Sequence, residues 1–187
     1  TLHMDMVGGG PETKAIFHVT RGPASLPSFI NDVAEHFGGF VNDQSALFAG
    51  GENVRFPLHA PEGGKEALLA EMAEFSLGSD HQIYTDTSWS IPSIYLNDWP
   101  DRYIHTNFDT PANVDPTKLK RAAFIGAASA YYLANLKPAE ASSILRLLQA
   151  HSLRRASTML KRRAGLPESE ASNLTRHYFS QERALAF

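Results

Sequence analysis

The chain has 187 residues and no cysteine. Disulfides and thiolate metal sites are therefore excluded, and any strong metal site must be built from His, Asp and Glu. Such donors suit zinc, manganese or cobalt in hydrolytic chemistry. No apolar run approaches the length that spans a bilayer, so no membrane partner is expected. The sequence shows no signal peptide, no internal repeat and no low-complexity tract. It opens on Thr1 rather than methionine, which makes a processed or trimmed piece of a longer protein the expectation and leaves the missing signal peptide uninformative.

What is present is ordinary for a globular domain. Hydrophobic residues make up 43% and charged residues 20%, and the length suffices for one domain with a real core. The net charge of -3 hides an asymmetry. Residues 1–137 carry 9 basic and 16 acidic groups, whereas residues 138–187 carry 8 basic and 4 acidic. The basic part reads as a separate helical appendage whose Arg154-Arg155 and Lys161-Arg162-Arg163 form a solvated face or dock on the acidic part. Neither part is basic enough to make nucleic acid the main partner.

The apolar pattern predicts a buried strand over Leu2 to Val7, ended by Gly8-Gly9-Gly10, and a second strand over Ala15 to Thr20. From Leu26 the spacing of Phe29, Ile30, Val33, Ala34 and Phe37 predicts a helix that Gly38-Gly39 terminates. Residues 40–64 read as a long loop with a short strand near Val54-Arg55-Phe56. Ala67 to Phe75 reads as a short helix, and Ile91 to Leu96 as a buried strand. Asp115 is the expected N-cap of a helix with Pro116 at its first position. Two more helices, about 139–163 and 168–185, are separated by Gly165-Leu166-Pro167. The order implies an α/β fold, in which sites gather at the carboxyl ends of the strands.

Three short motifs carry chemistry. Asp5 is an acid inside the apolar stretch Leu2-His3-Met4-Asp5-Met6-Val7, where a buried carboxylate needs a hydrogen-bonded partner or a metal. His3 lies two residues away and would share its strand face. The second motif is the glycine-led turn Gly78-Ser79-Asp80-His81. It offers a hydroxyl, an acid and an imidazole, but lacks the Gly-x-Ser-x-Gly elbow of a serine nucleophile. The third is His105-Thr106-Asn107-Phe108-Asp109-Thr110. His105 is either a loop histidine or a zinc ligand, and Asp109 either its hydrogen-bonding orienter or an Asx-turn residue.

Taken in order over roughly residues 1–136, these motifs resemble the carboxy-terminal half of a co-catalytic zinc aminopeptidase. The family in question is the twenty-eighth metallopeptidase family, which includes the bacterial leucyl aminopeptidases and glutamate carboxypeptidase. The resemblance implies part of a mixed-sheet zinc-exopeptidase sandwich with helices on both faces, over residues 1–136, followed by a C-terminal helical extension over 137–187. It implies that Asp5 binds one zinc ion and His105 the other, with Ser79, Asp80, His81 and Asp109 shaping the pocket or orienting the ligands. It implies a peptide substrate hydrolysed by a two-metal-activated water. The family's upstream His-x-Asp and Glu-Glu elements have no counterpart here, since His3-Met4-Asp5 spends its acid on the strand motif. The chain alone is therefore expected to be inactive, completed by an upstream part of the same protein. Where some members carry a tyrosine, this chain has Ser76 and Ile104, which leaves Tyr103 and Tyr84 as the nearby oxyanion donors. The alternatives are a non-catalytic peptidase-like binding module and a glutaminyl-cyclase-like single-zinc enzyme. The resemblance points to a periplasmic or secreted protein; composition is equally compatible with the cytoplasm.

Overall fold

A computed structural model of the chain describes residues 1–186. Four strands form one mixed sheet: β1 (Leu2–Met4), β2 (Ile16–Thr20), β3 (Glu71–Ala73) and β4 (Ile94–Trp99). Their order is β1-β4-β2-β3. β1 runs parallel to β4, β2 antiparallel to β4, and β3 parallel to β2. Five α-helices accompany the sheet among the described residues: α1 (Ile30–Ala49), α2 (His81–Thr85), α3 (Pro116–Ala134), α4 (Ala141–Arg163) and α5 (Glu168–Ala186). The protein is thus a mixed α/β fold. Among the described residues no helix is long and apolar enough to cross a membrane.

Strand alternation divides the sheet into two chemically different faces. Phe17, Val19, Ile94 and Leu96 point to one face and form a buried cluster with Ala34 and Val41 of α1 and Ala122 and Ile125 of α3. Phe124 of α3 meets Phe37 and Phe40 of α1 edge-on or tilted, with ring centroids 6.4 and 6.0 Å apart. α3 approaches β1 closely because Gly126 has no side chain: a Cβ there would lie 2.9 Å from Met4 Sδ. The other face is polar. Register places His3 opposite Tyr95 and Tyr95 opposite Thr20, with Asn97 opposite His18.

The start of α3 matches the expectation. The Asp115 carboxylate accepts from the Lys118 amide at 2.9 Å, and Pro116 stands at the first position. α4 and α5 also fall close to the expected spans, with Gly165-Leu166-Pro167 between them.

Three local expectations fail for physical reasons. α1 does not stop at Gly38-Gly39 but runs on to Ala49. Gly38 is there for proximity, since a Cβ would lie 2.8 Å from Met72 Cε and 3.0 Å from Val19 Cγ2. The true stop is Gly50-Gly51, where Gly51 takes φ +85° and the Gly50 amide bonds back to the Ala46 carbonyl. Val54-Arg55-Phe56 forms no strand, and much of the supposed 40–64 loop is the second half of α1. Ala67 to Phe75 is not helical. Asn42 of α1 clamps Ala70 through both its amide nitrogen and its carbonyl oxygen, and Glu71–Ala73 then pairs with β2 as the edge strand β3.

Candidate functional site

The polar face of the sheet brings two of the three motifs together. β1 ends at Met4, and the Asp5 amide continues the ladder by donating to the Leu96 carbonyl at 3.2 Å. Asp5 is exposed rather than buried, so the cost that would have demanded a metal or an ion pair does not arise. The reason is position: Asp5 lies past the strand's last residue, on the face that α1 and α3 do not cover. Its carboxylate accepts a 2.6 Å hydrogen bond from Ser79 Oγ. The Ser79 oxygen lies 2.8 Å from His3 Nε2. A hydroxyl has one proton, and here it goes to Asp5; His3 Nε2 must therefore be the protonated nitrogen and donate to Ser79.

The order of this chain of hydrogen bonds is His3–Ser79–Asp5. In a serine-nucleophile triad the imidazole sits in the middle and takes the hydroxyl proton. Here the hydroxyl sits in the middle and gives its proton to the carboxylate, an arrangement different from that of a triad nucleophile. His81 is turned away from Ser79. Its Nε2 donates to the Ser76 carbonyl at 2.7 Å, which leaves Nδ1 as an acceptor buried without a partner.

Tyr95 closes this wall. Its ring stacks on His81 with centroids 4.2 Å apart and lies 5.4 Å from His3. The Tyr95 hydroxyl is buried with no hydrogen-bond partner. Burial, and then the charge of Asp5, push the phenol's pKa up, so it keeps its proton. Burial pushes His81 down; the hydrogen bond to Ser76 opposes this, and His3 adds to it, so His81 is a neutral imidazole at neutral pH. The wall beneath Asp5 thus offers an uncharged acceptor and an uncharged donor. Tyr95 was not among the residues expected from sequence, because a tyrosine in an apolar strand looks like core; its pairing with His3 only becomes visible once β1 and β4 are in register.

The third motif stands apart. His105 lies in the turn-rich loop after β4, exposed, with φ +59°. Histidine is among the side chains enriched in that left-handed region. The loop bonds to itself: Thr106 Oγ1 donates to the Tyr103 carbonyl, and the Asp109 amide to the Thr106 carbonyl. Among the described residues no hydrogen bond or ion pair joins His105 to Asp5 or to Asp109. Asp109 and Asp80 are exposed. Tyr103 packs on Phe108 with centroids 6.2 Å apart, under the guanidinium of Arg102. Tyr84 lies on α2, 42% exposed. Neither tyrosine hydroxyl takes part in the hydrogen bonding around Asp5.

Asp5 and His105 are of the right type for zinc, but the described residues supply no group of three donors that contains either of them. Among the described residues, the one such group of three His and acidic donors lies elsewhere, at Asp32, Glu35 and His151. Those residues join α1 to α4 and were not expected to act together. Their sequence separation of more than a hundred residues removes any local signal; only the i, i+3 spacing of Asp32 and Glu35 on one face of a helix hinted at a shared position.

A second buried acid, Asp98, sits on the helix-covered face. Its Oδ2 accepts from the Gly9 amide at 2.8 Å, and Lys118 Nζ lies 2.6 Å from Oδ1. Burial pushes the Asp98 carboxyl up further than Lys118 and the Gly8 and Gly9 amides pull it down. This pairing ties the glycine turn after β1 to the first turns of α3. A cavity of about 300 Å³ opens beside it, lined by Gly10, Lys14, Glu66, Asp115 and Arg121 among others.

Compared with known protein families, curated proteins and solved structures, the chain matches none.

Proposed function

We propose that this chain is the carboxy-terminal portion of a zinc-dependent exopeptidase, an aminopeptidase by the resemblance of its three motifs. One observation carries the reading: Asp5, at the carboxyl end of β1, is an exposed carboxylate held by Ser79 from the Gly78–His81 turn. β1's parallel partner β4 leads into the loop of His105. Two of the motifs are thereby in hydrogen-bond contact, and the third follows a strand that points the same way.

The residues have distinct roles in this reading. Ser79 fixes the Asp5 carboxylate by donating to Oδ2, leaving Oδ1 free to act as a ligand, and His3 fixes Ser79. Supporting hydrogen bonds of this kind orient metal ligands. His105, exposed in the loop after β4, would supply an imidazole to the completed site. Zinc, when bound, would polarise a scissile carbonyl and lower the pKa of a water. Because neither Asp5 nor His105 has two further donors nearby, the remaining ligands and the general base come from an upstream part of the same protein.

The same shortage of donors favours a second reading, a peptidase-like module that binds peptides without cleaving them. An aminopeptidase assay separates the two. The longer protein containing this chain should cleave amino-terminal residues from peptides and lose that activity on chelation. Asp5→Asn and His105→Gln should each abolish it, and Ser79→Ala should lower it about 10-fold, as for other groups that orient metal ligands. Peptide binding without turnover in the longer protein would overturn the enzyme reading. Robust metal-dependent cleavage by this chain alone would overturn the shared site. Metal stoichiometry of the longer protein distinguishes two ions from the one of a glutaminyl-cyclase-like enzyme.

A further inference from the structure

Six side chains join the α/β body to the two C-terminal helices, and their charges alternate along a continuous path. Arg21, after β2, lies 3.7 Å from Glu35. Glu35 lies 3.2 Å from His151 Nδ1, and His151 Nδ1 lies 3.3 Å from Asp32 Oδ1. Asp32 Oδ1 is 2.5 Å from Arg155 Nη1, and Arg155 Nε is 2.6 Å from Glu182. Asp32 and Glu35 belong to α1, His151 and Arg155 to α4, and Glu182 to α5. The side chains of Asp32 and His151 are 0% and 5% exposed. Apolar burial contributes little to the joint, since only Ile144, His151 and Met159 of the 23 residues of α4 are buried.

We propose that this path is a pH-operated latch, in which the proton on His151 holds α4 and α5 against α1 and its loss releases them. With that proton the path carries three positive and three negative groups. Without it, Asp32 and Glu35 face a neutral ring and the balance is broken where the path is most buried.

The donor set could also suggest a cation site, but the neighbours argue for a proton. The Asp32 oxygen nearest His151 is already engaged by Arg155, and Glu35 already faces Arg21. A divalent ion would enter a charge-balanced cluster between two guanidinium groups. The other ionisable groups nearby are His36 on α1 and Arg154 on α4. The adjoining cavity of about 320 Å³ adds Glu74, Arg162 and His177. His36 is held below its ordinary pKa by burial first, and then by the charges of His151 and Arg154; it does not supply the switch above neutrality.

The carboxylates of Asp32 and then Glu35 beside Nδ1 raise His151 from 6.5 to about 9, against the opposing effect of burial. The group binds its proton more tightly when docked, so the latch is at full strength below about pH 6.5 and weakens as pH rises to about 9. From pH 6.5 to 9 the docked-to-undocked ratio falls about 80-fold, out of about 300-fold between the fully protonated and fully deprotonated limits.

Because the chain has no cysteine, a spin-label pair at Asp43→Cys on α1 and Leu160→Cys on α4, both exposed, reads the separation without background. Pulsed dipolar spectroscopy of the full chain at pH 6 should give one narrow distance. Raising the pH to 9 and then 10 should add a broad, longer population. Glu35→Gln should move that midpoint to lower pH, and His151→Gln should remove the pH response. An unchanged distance from pH 6 to 10, or the same pH response in His151→Gln, overturns the proposal. So does a His151 imidazole resonance that titrates near 6.5. If zinc recloses the arm at pH 9 and a chelator reopens it, the cluster is a metal staple and the proton latch is wrong.

Discussion

The two polar clusters of this protein are built on opposite terms. Around Asp5, the groups are drawn from short motifs, their carboxylate is exposed, and one hydroxyl provides the orientation. Around Asp32, the groups come from α1, α4, α5 and the turn after β2; their carboxylate is fully buried, and each charge meets an opposite one. An exposed carboxylate with a single hydrogen bond keeps free coordination capacity and costs little to hold. A buried one must be matched, and the matching makes it structural. The contrast separates a place where chemistry can happen from a place where two parts of the chain are fastened together.

The most severe way to test that contrast is Asp32→Ala. It leaves Arg155 and His151 inside with no carboxylate between them, and urea unfolding near pH 7 should show a loss of about 3–5 kcal/mol. Burial raises the Asp32 pKa, but the neighbouring His151 and the charges of Arg155 and Arg21 pull it further down, to a net value below normal. Its contribution is therefore present above about pH 4 and should be lost as pH falls through the lowered value. An Asp32→Ala protein as stable as the parent would erase the distinction between the clusters.

The end of the path should matter less than its centre. Glu182 is partly exposed, at 17%, and Glu182→Gln should cost about 1 kcal/mol by the same measurement, the scale of a well-aligned pair near the surface. Asp98→Asn probes a buried acid of the opposite kind. Burial already pushes its carboxyl up, but an amide that keeps the Gly9 hydrogen bond turns its NH2 toward the Lys118 ammonium, so the change should cost about 1–3 kcal/mol. The raised pKa also reverses the sign: the folded state holds the Asp98 proton more tightly, so stability from this group declines as pH rises above about 4, and Asp98→Asn should flatten that decline. Smallest of all, Ser79→Ala should leave the unfolding midpoint within about 0.5 kcal/mol of the parent, as for a surface substitution. In the proposed enzyme its effect would fall on the orientation of Asp5, and a large loss of stability there would make Ser79 a structural residue.

Much of the architecture could be read from sequence wherever local rules and tertiary packing agree. The Asp115 cap, the Pro116 start and the Gly165-Leu166-Pro167 break all act within a few residues, and all fall where expected. Gly38-Gly39 misled because the same residue type serves two purposes, stopping a helix or letting one lie close to a sheet; only the positions of Met72 and Val19 decide between them. β3 was missed because its three residues have little strand character of their own and depend on β2 and on Asn42. The link between Asp5 and Ser79 was anticipated as membership of one site but not as a hydrogen bond. His151 gave no sign at all, being a histidine on a polar helix whose partners lie more than a hundred residues earlier.

The position of β1 has a consequence for the chemistry proposed at Asp5. β1 stands last in the sheet order, with β4 on one side only. Its outward amides and carbonyls form a short template for another strand, the kind of surface that pairs with whatever extended segment reaches it. A strand added along that edge would run immediately beside Asp5 and widen the polar face by one row of side chains. The backbone ladder itself would then set the distance between Asp5 and the neighbouring row, because adjacent strands lie about 4.8 Å apart.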